Sequence, residues 1–254
     1  MDELYVKDHF NGPLLSANGG YACGLFADRA AELLGAVDLT VTLFAPPPLA
    51  VPLRADAAGR RAHVWDGDRL VAGVAIARPD IDTPAFVSPG AAARAEREYR
   101  GLSSHPFPSC FVCGTERGER ESLAMRPGPL PGEPPGTACT WTPDPVLAGG
   151  DGRSVPVQIA WAALDCPGGW TADLSAGPMV LSRMTARLDR LPVTGECHVV
   201  VGRMDSRSDR TMVTTTAIYR AGGERLGHAL SVWTDFLPGA LGPGAPGCEG
   251  APSV

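Results

Sequence analysis

The chain carries one local pattern twice, and that repetition limits its fold more than any single motif does. In the first copy an Ala-rich apolar helix is predicted over 19–34, and "VDLTVTLFAPPPLAVPLRAD" follows, alternating and β-branched until its prolines. Next comes "RRAHVWDGDRLVAGVAIAR", two alternating strands joined at Asp66-Gly67, a strong hairpin signal. The second copy opens with the short apolar helical run "VPVQIAWAALDCPGGW". It continues through "MVLSRMTARLDRLPVTGECHVVVGRMD" to "TMVTTTAIYRAGGERLGHALSVWTDF", where a glycine turn again joins two alternating strands. The echo reaches single residues: "DRLVAGVAIA" from Asp68 and "ERLGHALSVW" from Glu224 share one in-and-out alternation.

This predicts an α+β chain of two tandem units, each a central helix followed by several antiparallel strands. The first unit is assigned to 1–100 and the second to 101–237, because "SPGAAARAEREYRGLSSHPFPS" between them is charged and then Pro/Ser-rich. The remainder, 238–254, is Pro/Gly-rich, lacks apolar residues to pack, and is expected to be disordered. At 254 residues and 44% hydrophobic content, the chain can bury a substantial core without staples.

Charge and composition narrow the partners. The net charge is −6, and Lys7 is the sole lysine among 22 basic residues, with no dense basic run, so nucleic acid is not expected as a partner. No apolar stretch approaches the ~20 residues of a bilayer span and no early stretch reads as a signal peptide, so a soluble, cytoplasmic protein without a membrane partner is expected. Small molecules remain. Arg94, Arg97 and Arg100 could meet phosphates, but Glu96 and Glu98 alternate with them, which favours a solvated helix.

Seven cysteines, Cys23, Cys110, Cys113, Cys139, Cys166, Cys197 and Cys248, are odd in number and irregular in spacing, which is not a disulfide framework. Cys110 and Cys113 form a Cys-x-x-Cys pair, yet a structural zinc site wants four Cys or His ligands. A second close pair is missing, and His105 and His198 stand alone. Buried thiols in a packed turn, with no metal, are the expectation.

The stretch "SANGGYACGLFADRA" at 16–30 is similar to the Gly-Gly start of the central helix in hotdog-fold acyl-CoA thioesterases. "AWAALDCPGGW" at 160–170 adds to the likeness, since an acidic residue on that helix is the family's usual catalytic carboxylate. Two units in one chain resemble the tandem, double-hotdog form. Asn18 stands where many single-hotdog thioesterases have histidine, and the glutamine that some double forms place on a late strand has no counterpart, the nearest positions being Ser231 and Val232. The Asp-x-Asn-x-x-x-x-His pattern of hotdog enoyl-CoA hydratases is absent, as are nucleophile-elbow, phosphate-loop and dinucleotide signatures.

The resemblance implies a hydrolase that splits an acyl-CoA or acyl-carrier thioester into acid and thiol. It needs no cofactor, coenzyme A being part of the substrate. A non-catalytic module that binds an acyl or CoA ligand, or serves assembly, is the alternative. Two fused units already make the usual pseudo-dimer, so a folded monomer is feasible, and further pairing of copies through sheet edges stays open.

A helix start leaves amide N–H groups unsatisfied and partly positive, and glycine lets a ligand approach them closely. Gly19 and Gly20, with Tyr21 behind them and Asn18 as cap, could hold the oxyanion of a tetrahedral intermediate, where each donor is worth roughly 3–4 kcal/mol. The same residues could also simply cap a buried helix. Asp165 closes an apolar run, and an aspartate is seldom buried without a partner or a task; it could serve as base or nucleophile, or accept bonds from the "CPGG" turn. Asp28 is the second-choice acid, one residue late in spacing, which turns its side chain by ~100°. Paired hotdogs usually build a site from the helix start of one unit and the acid of the other. That implies Asn18, Gly19 and Gly20 with Asp165, and Tyr21, Gln158 and Ser182 as substrate contacts.

Overall fold

A computed structural model describes residues 4–77, 80–118 and 121–237. The tail expected to be disordered lies outside them. The first half runs β1 (Leu4–Tyr5), α1 (Gly19–Leu34), β2 (Leu39–Leu43), β3 (Pro52–Ala58), β4 (Arg61–Asp66) and β5 (Arg69–Ile76). After α2 (Pro89–Glu96) come β6 (Gly128–Leu130), β7 (Gly136–Trp141), α3 (Val157–Ala163) and α4 (Cys166–Gly169). The long strands β8 (Met179–Leu188), β9 (His198–Arg207), β10 (Thr211–Arg220) and β11 (Arg225–Asp235) are the last elements of the described residues.

Among the described residues, eleven strands form one antiparallel sheet in the order β1-β3-β4-β5-β2-β8-β11-β10-β9-β7-β6. Counted outward from the β2–β8 junction, the halves mirror each other: β2 matches β8, β5 matches β11, β4 matches β10, β3 matches β9 and β1 matches β7. The echoing segments therefore hold corresponding places, β5 and β11. The sheet is continuous because β2 and β8 pair at Leu39 with Ala186 through Thr42 with Arg183, and Thr40 and Thr185 join their hydroxyls at 2.6 Å. The hairpin turns form where expected, Gly67 (φ 55°) between β4 and β5 and Gly223 (φ 92°) between β10 and β11 supplying the left-handed backbone.

The two central helices cross inside this curved sheet at backbone contact. A Cβ on Gly24 would lie 2.7 Å from Gln158 Cα, and one on Gly20 would lie 2.5 Å from Asp165 Cβ and 2.8 Å from the Trp161 carbonyl. Glycine at these two positions is thus what lets α1 and α3 touch. Around the crossing, Phe26, Ala22, Cys23, Ala160, Ala163 and Leu164 are buried in the main core. α1 begins at Asn18, whose Oδ1 accepts the Tyr21 N–H at 2.9 Å, and ends at left-handed Gly35.

Two features go beyond the sequence expectation. The second helical run is broken at Asp165 into α3 and α4, because Pro167 lacks the N–H that would continue the ladder and its ring would meet the carbonyl four residues back. The linker keeps Arg94, Arg97, Glu98 and Arg100 exposed, as expected, but the other face of its helix α2 is packed. It buries Ala92 and Ala95 against Ala138, Val199, Val201, Ala217 and Tyr219, a small second core on the other side of the sheet. Glu96 accepts from the backbone N–H of Thr140 and, at 2.6 Å, from its hydroxyl. No helix among the described residues is long and apolar enough to cross a membrane.

Candidate active site

Breaking the second helical run gives Asp165 its direction. Its side chain makes no bond to the turn that follows and reaches across the helix crossing to α1. Oδ2 accepts the Gly20 N–H at 2.9 Å and Asn18 Nδ2–H at 2.9 Å, while Oδ1 has no hydrogen-bond partner among the described residues. Asn18 thus works in two directions, its oxygen capping α1 and its nitrogen holding the carboxylate of the other half. Asp165 is 2% exposed, and burial is the main cause that pushes its carboxyl up to about 7. The Gly20 N–H opposes that shift, Cys110 adds to it, and the Asn18 side chain opposes it.

Asn18, Gly19 and Asp165 line a cavity of about 300 Å³ whose walls are largely apolar, among them Leu43, Phe44, Trp170, Leu181 and Trp233. Two free amides for an oxyanion, as expected of Gly19 and Gly20, are not present: the Gly20 N–H is taken by Asp165. The Gly19 N–H has no acceptor among the described residues, and Gly19 lines the cavity. The four residues assigned to the composite site are therefore in one place, drawn from both halves.

The expected substrate contacts divide. Ser182 lines the cavity and donates its hydroxyl to the Val232 carbonyl at 3.0 Å. Tyr21 does not line it. Tyr21 is buried against Phe10, rings stacked at 3.9 Å, and its phenol is pushed up to about 12 by burial, against a hydrogen bond from Gln158. The backbone of Gln158 lies beside Gly24 at the helix crossing, and neither Gln158 nor Tyr21 is among the residues lining the cavity. Asp28 is exposed on α1, away from the cavity, and burial followed by the Glu32 charge raises its pKa.

Sequence reasoning missed what sits next to Asp165. Cys166 and both cysteines of the Cys-x-x-Cys pair line the same cavity, and their three sulfurs lie within 4.8 Å of one another. His105 is not isolated either, its Nε2 being 3.4 Å from Cys113 Sγ. One signal was present: Cys166 directly follows the candidate acid, so whatever is brought to Asp165 is brought to Cys166 as well.

No protein-family model and no curated protein matches the chain. Solved structures do match over nearly its whole length. A hot dog-fold protein of unknown function from Alicyclobacillus acidocaldarius is 15% identical, with 92% of each chain covered and a TM-score of 0.54. A TesB protein of Mycobacterium avium subspecies paratuberculosis is 11% identical over 87% of this chain and 88% of its own, with a TM-score of 0.55. The acyl-CoA thioesterase II TesB2 of Mycobacterium marinum is 14% identical, with 92% of each chain covered and a TM-score of 0.54. The fold is thus that of the hotdog proteins, in tandem.

Proposed function

We propose that the protein hydrolyses an acyl thioester, of coenzyme A or of a carrier protein, to a carboxylic acid and a thiol. The observation that carries this reading is the buried Asp165, clamped on one oxygen by the Gly20 N–H and Asn18 and unpartnered on the other, in an apolar cavity at the start of α1. The clamp fixes the carboxylate, leaving Oδ1 to take a proton from a water that attacks the thioester carbon. As the carbon becomes tetrahedral its oxygen becomes negative, and the Gly19 N–H at the positive end of α1 is the donor suited to receive it. Collapse breaks the C–S bond, and the departing sulfur takes the proton back from Asp165. Apolar walls suit an acyl chain, and that of Trp170 and Trp233 a broad one.

Fold likeness to thioesterases supports the reaction class and leaves the acyl group open. Because both halves of the site belong to one chain, a monomer suffices for it. The test is release of thiol from a panel of acyl-CoAs by wild type and by Asp165→Asn. Turnover by wild type and its loss in the variant is the expected result. Wild type that hydrolyses none of the panel yet binds CoA in calorimetry would replace the enzyme with a binding module.

A further inference from the structure

The loop "PFPSCFVCG" folds back on itself: the Phe107 carbonyl accepts the Cys110 N–H at 2.9 Å, and the Cys110 carbonyl accepts the Gly114 N–H at 2.9 Å. Gly114 is needed there, since a Cβ would lie 2.5 Å from the carbonyls of Cys110 and Pro108. This turn points both cysteine sulfurs toward Cys166, more than fifty positions away in sequence. All three are buried, and the Cys110 and Cys166 sulfurs are 3.9 Å apart. Thiolates bound tetrahedrally to zinc at about 2.3 Å stand about 3.8 Å from each other. A disulfide would need sulfurs at about 2.05 Å.

Surrounding donors fit sulfurs that carry charge. Trp170 Nε1–H points at Cys113 Sγ at 3.4 Å, and Asn18 Nδ2 lies 3.9 Å from Cys110 Sγ and 4.0 Å from Cys166 Sγ. Such N–H groups are what orient and stabilise metal-bound thiolates. His105 is not the fourth ligand in this arrangement. Its Nδ1 accepts the Phe107 N–H at 2.9 Å, which puts the proton on Nε2, facing the Cys113 carbonyl at 3.1 Å and the Cys113 sulfur. The cavity, which all three cysteines line, is the remaining source.

We propose that Cys110, Cys113 and Cys166 bind a zinc ion through three thiolates, with the fourth position taken by a water from the cavity beside Asp165. Soft sulfur donors select zinc over harder divalent ions. The ion would tie the loop of the linker region to the break between α3 and α4, and so hold Asp165 and its helix break in place. The proposal is independent of the hydrolase reading, because metal content is measured without substrate.

The experiment is zinc quantification on the purified full chain after loading with zinc and removal of free metal, followed by replacement with cobalt. Wild type should retain a single zinc ion per chain, and cobalt should give the intense thiolate-to-metal absorption in the near ultraviolet. Cys110→Ser and Cys166→Ser should lose the metal with circular dichroism unchanged, while Cys197→Ser, at an exposed cysteine, keeps it. If the serine variants do not fold, alkylation of wild type decides: zinc should protect Cys110, Cys113 and Cys166 together. Folded wild type that takes up no zinc, protection of none of the three, or an intact mass showing a Cys110–Cys166 disulfide would overturn the site. His105→Ala should keep the zinc, and its loss there would overturn the open fourth position.

Discussion

The starts of the two central helices occupy matching places in a mirrored sheet, yet only one holds the carboxylate of the other half. At α1, Asn18 caps the helix and grips Asp165, Gly20 gives its amide to the same carboxylate, and Gly19 faces the cavity. At α3 the corresponding residues are Pro156, Val157 and Gln158: the cap makes no side-chain bond, and Gln158 is packed against Gly24. The acids differ in the same sense. Counted from the first helical residue, Asp165 on the α3 side corresponds to Ala27 on α1, and Asp28 falls one residue later, exposed. The two halves are alike in fold and differ at these few side chains.

Activity should show the largest effect of this asymmetry. Asp165→Asn keeps the size of the side chain and removes the basic oxygen, so kcat for the best thioester should fall by about 10²-fold or more, with KM little changed. Asp28→Asn should leave both constants as they are. Equal losses from the two variants in steady-state assays would break the comparison.

Next in size is the crossing itself. Gly24→Ala sets a methyl against the Gln158 backbone, where no flexible side chain can give way, and should cost about 1–3 kcal/mol in denaturant unfolding. Stability equal to wild type would mean that the helices can separate without loss.

Asn18→Ala sharpens the contrast between the caps. It removes the bond to the Tyr21 N–H, worth about 1 kcal/mol at a helix start, and one of the two donors on Asp165. Unfolding should report that loss, and kcat should drop by less than in Asp165→Asn because Gly20 still holds the carboxylate. Pro156→Ala should cost much less, since that cap makes no side-chain bond.

What the sequence disclosed follows the range of the interactions. The β4–β5 and β10–β11 hairpins were legible because alternation and a glycine turn are local, and the matching of β5 with β11 because their residues echo each other. The meeting of Asp165 with Asn18 and Gly20 was reached through the resemblance, since no local pattern links positions so far apart. Three things were not legible. That the "CPGG" turn after Asp165 is itself a short helix, and that the Asp165 side chain turns back to α1 instead of capping it, is not written in the local sequence. The packing of α2 on the far face of the sheet rests on Ala92 and Ala95, too small to stand out among its charges. The gathering of Cys166 with Cys110 and Cys113 joins a loop to a helix break, and the spacing of cysteines cannot reveal that.

The smallest expected effect concerns the matching strands. Aligned from Asp68 and Glu224, Ala72 of β5 corresponds to His228 of β11, so the second half carries a titratable group where the first has a methyl. His228 is 8% exposed, and its pKa is lowered from 6.5 by burial first and then by the charge of Arg225, with Arg187 in the same direction and Asp189 opposing. These groups and Asp38 line one hollow around the ring. A histidine whose folded pKa is depressed is neutral in the native state while the unfolded chain still binds a proton. Below 6.5, therefore, the unfolded state takes up more protons and stability falls as the pH drops toward the folded pKa; above 6.5 the term is flat. His228→Ala makes β11 copy β5 and should lower stability at every pH through lost packing, but with a shallower decline below 6.5 than wild type. Denaturant unfolding of both proteins across that window measures it, and parallel curves would show that His228 takes no part in the acid sensitivity of the second half.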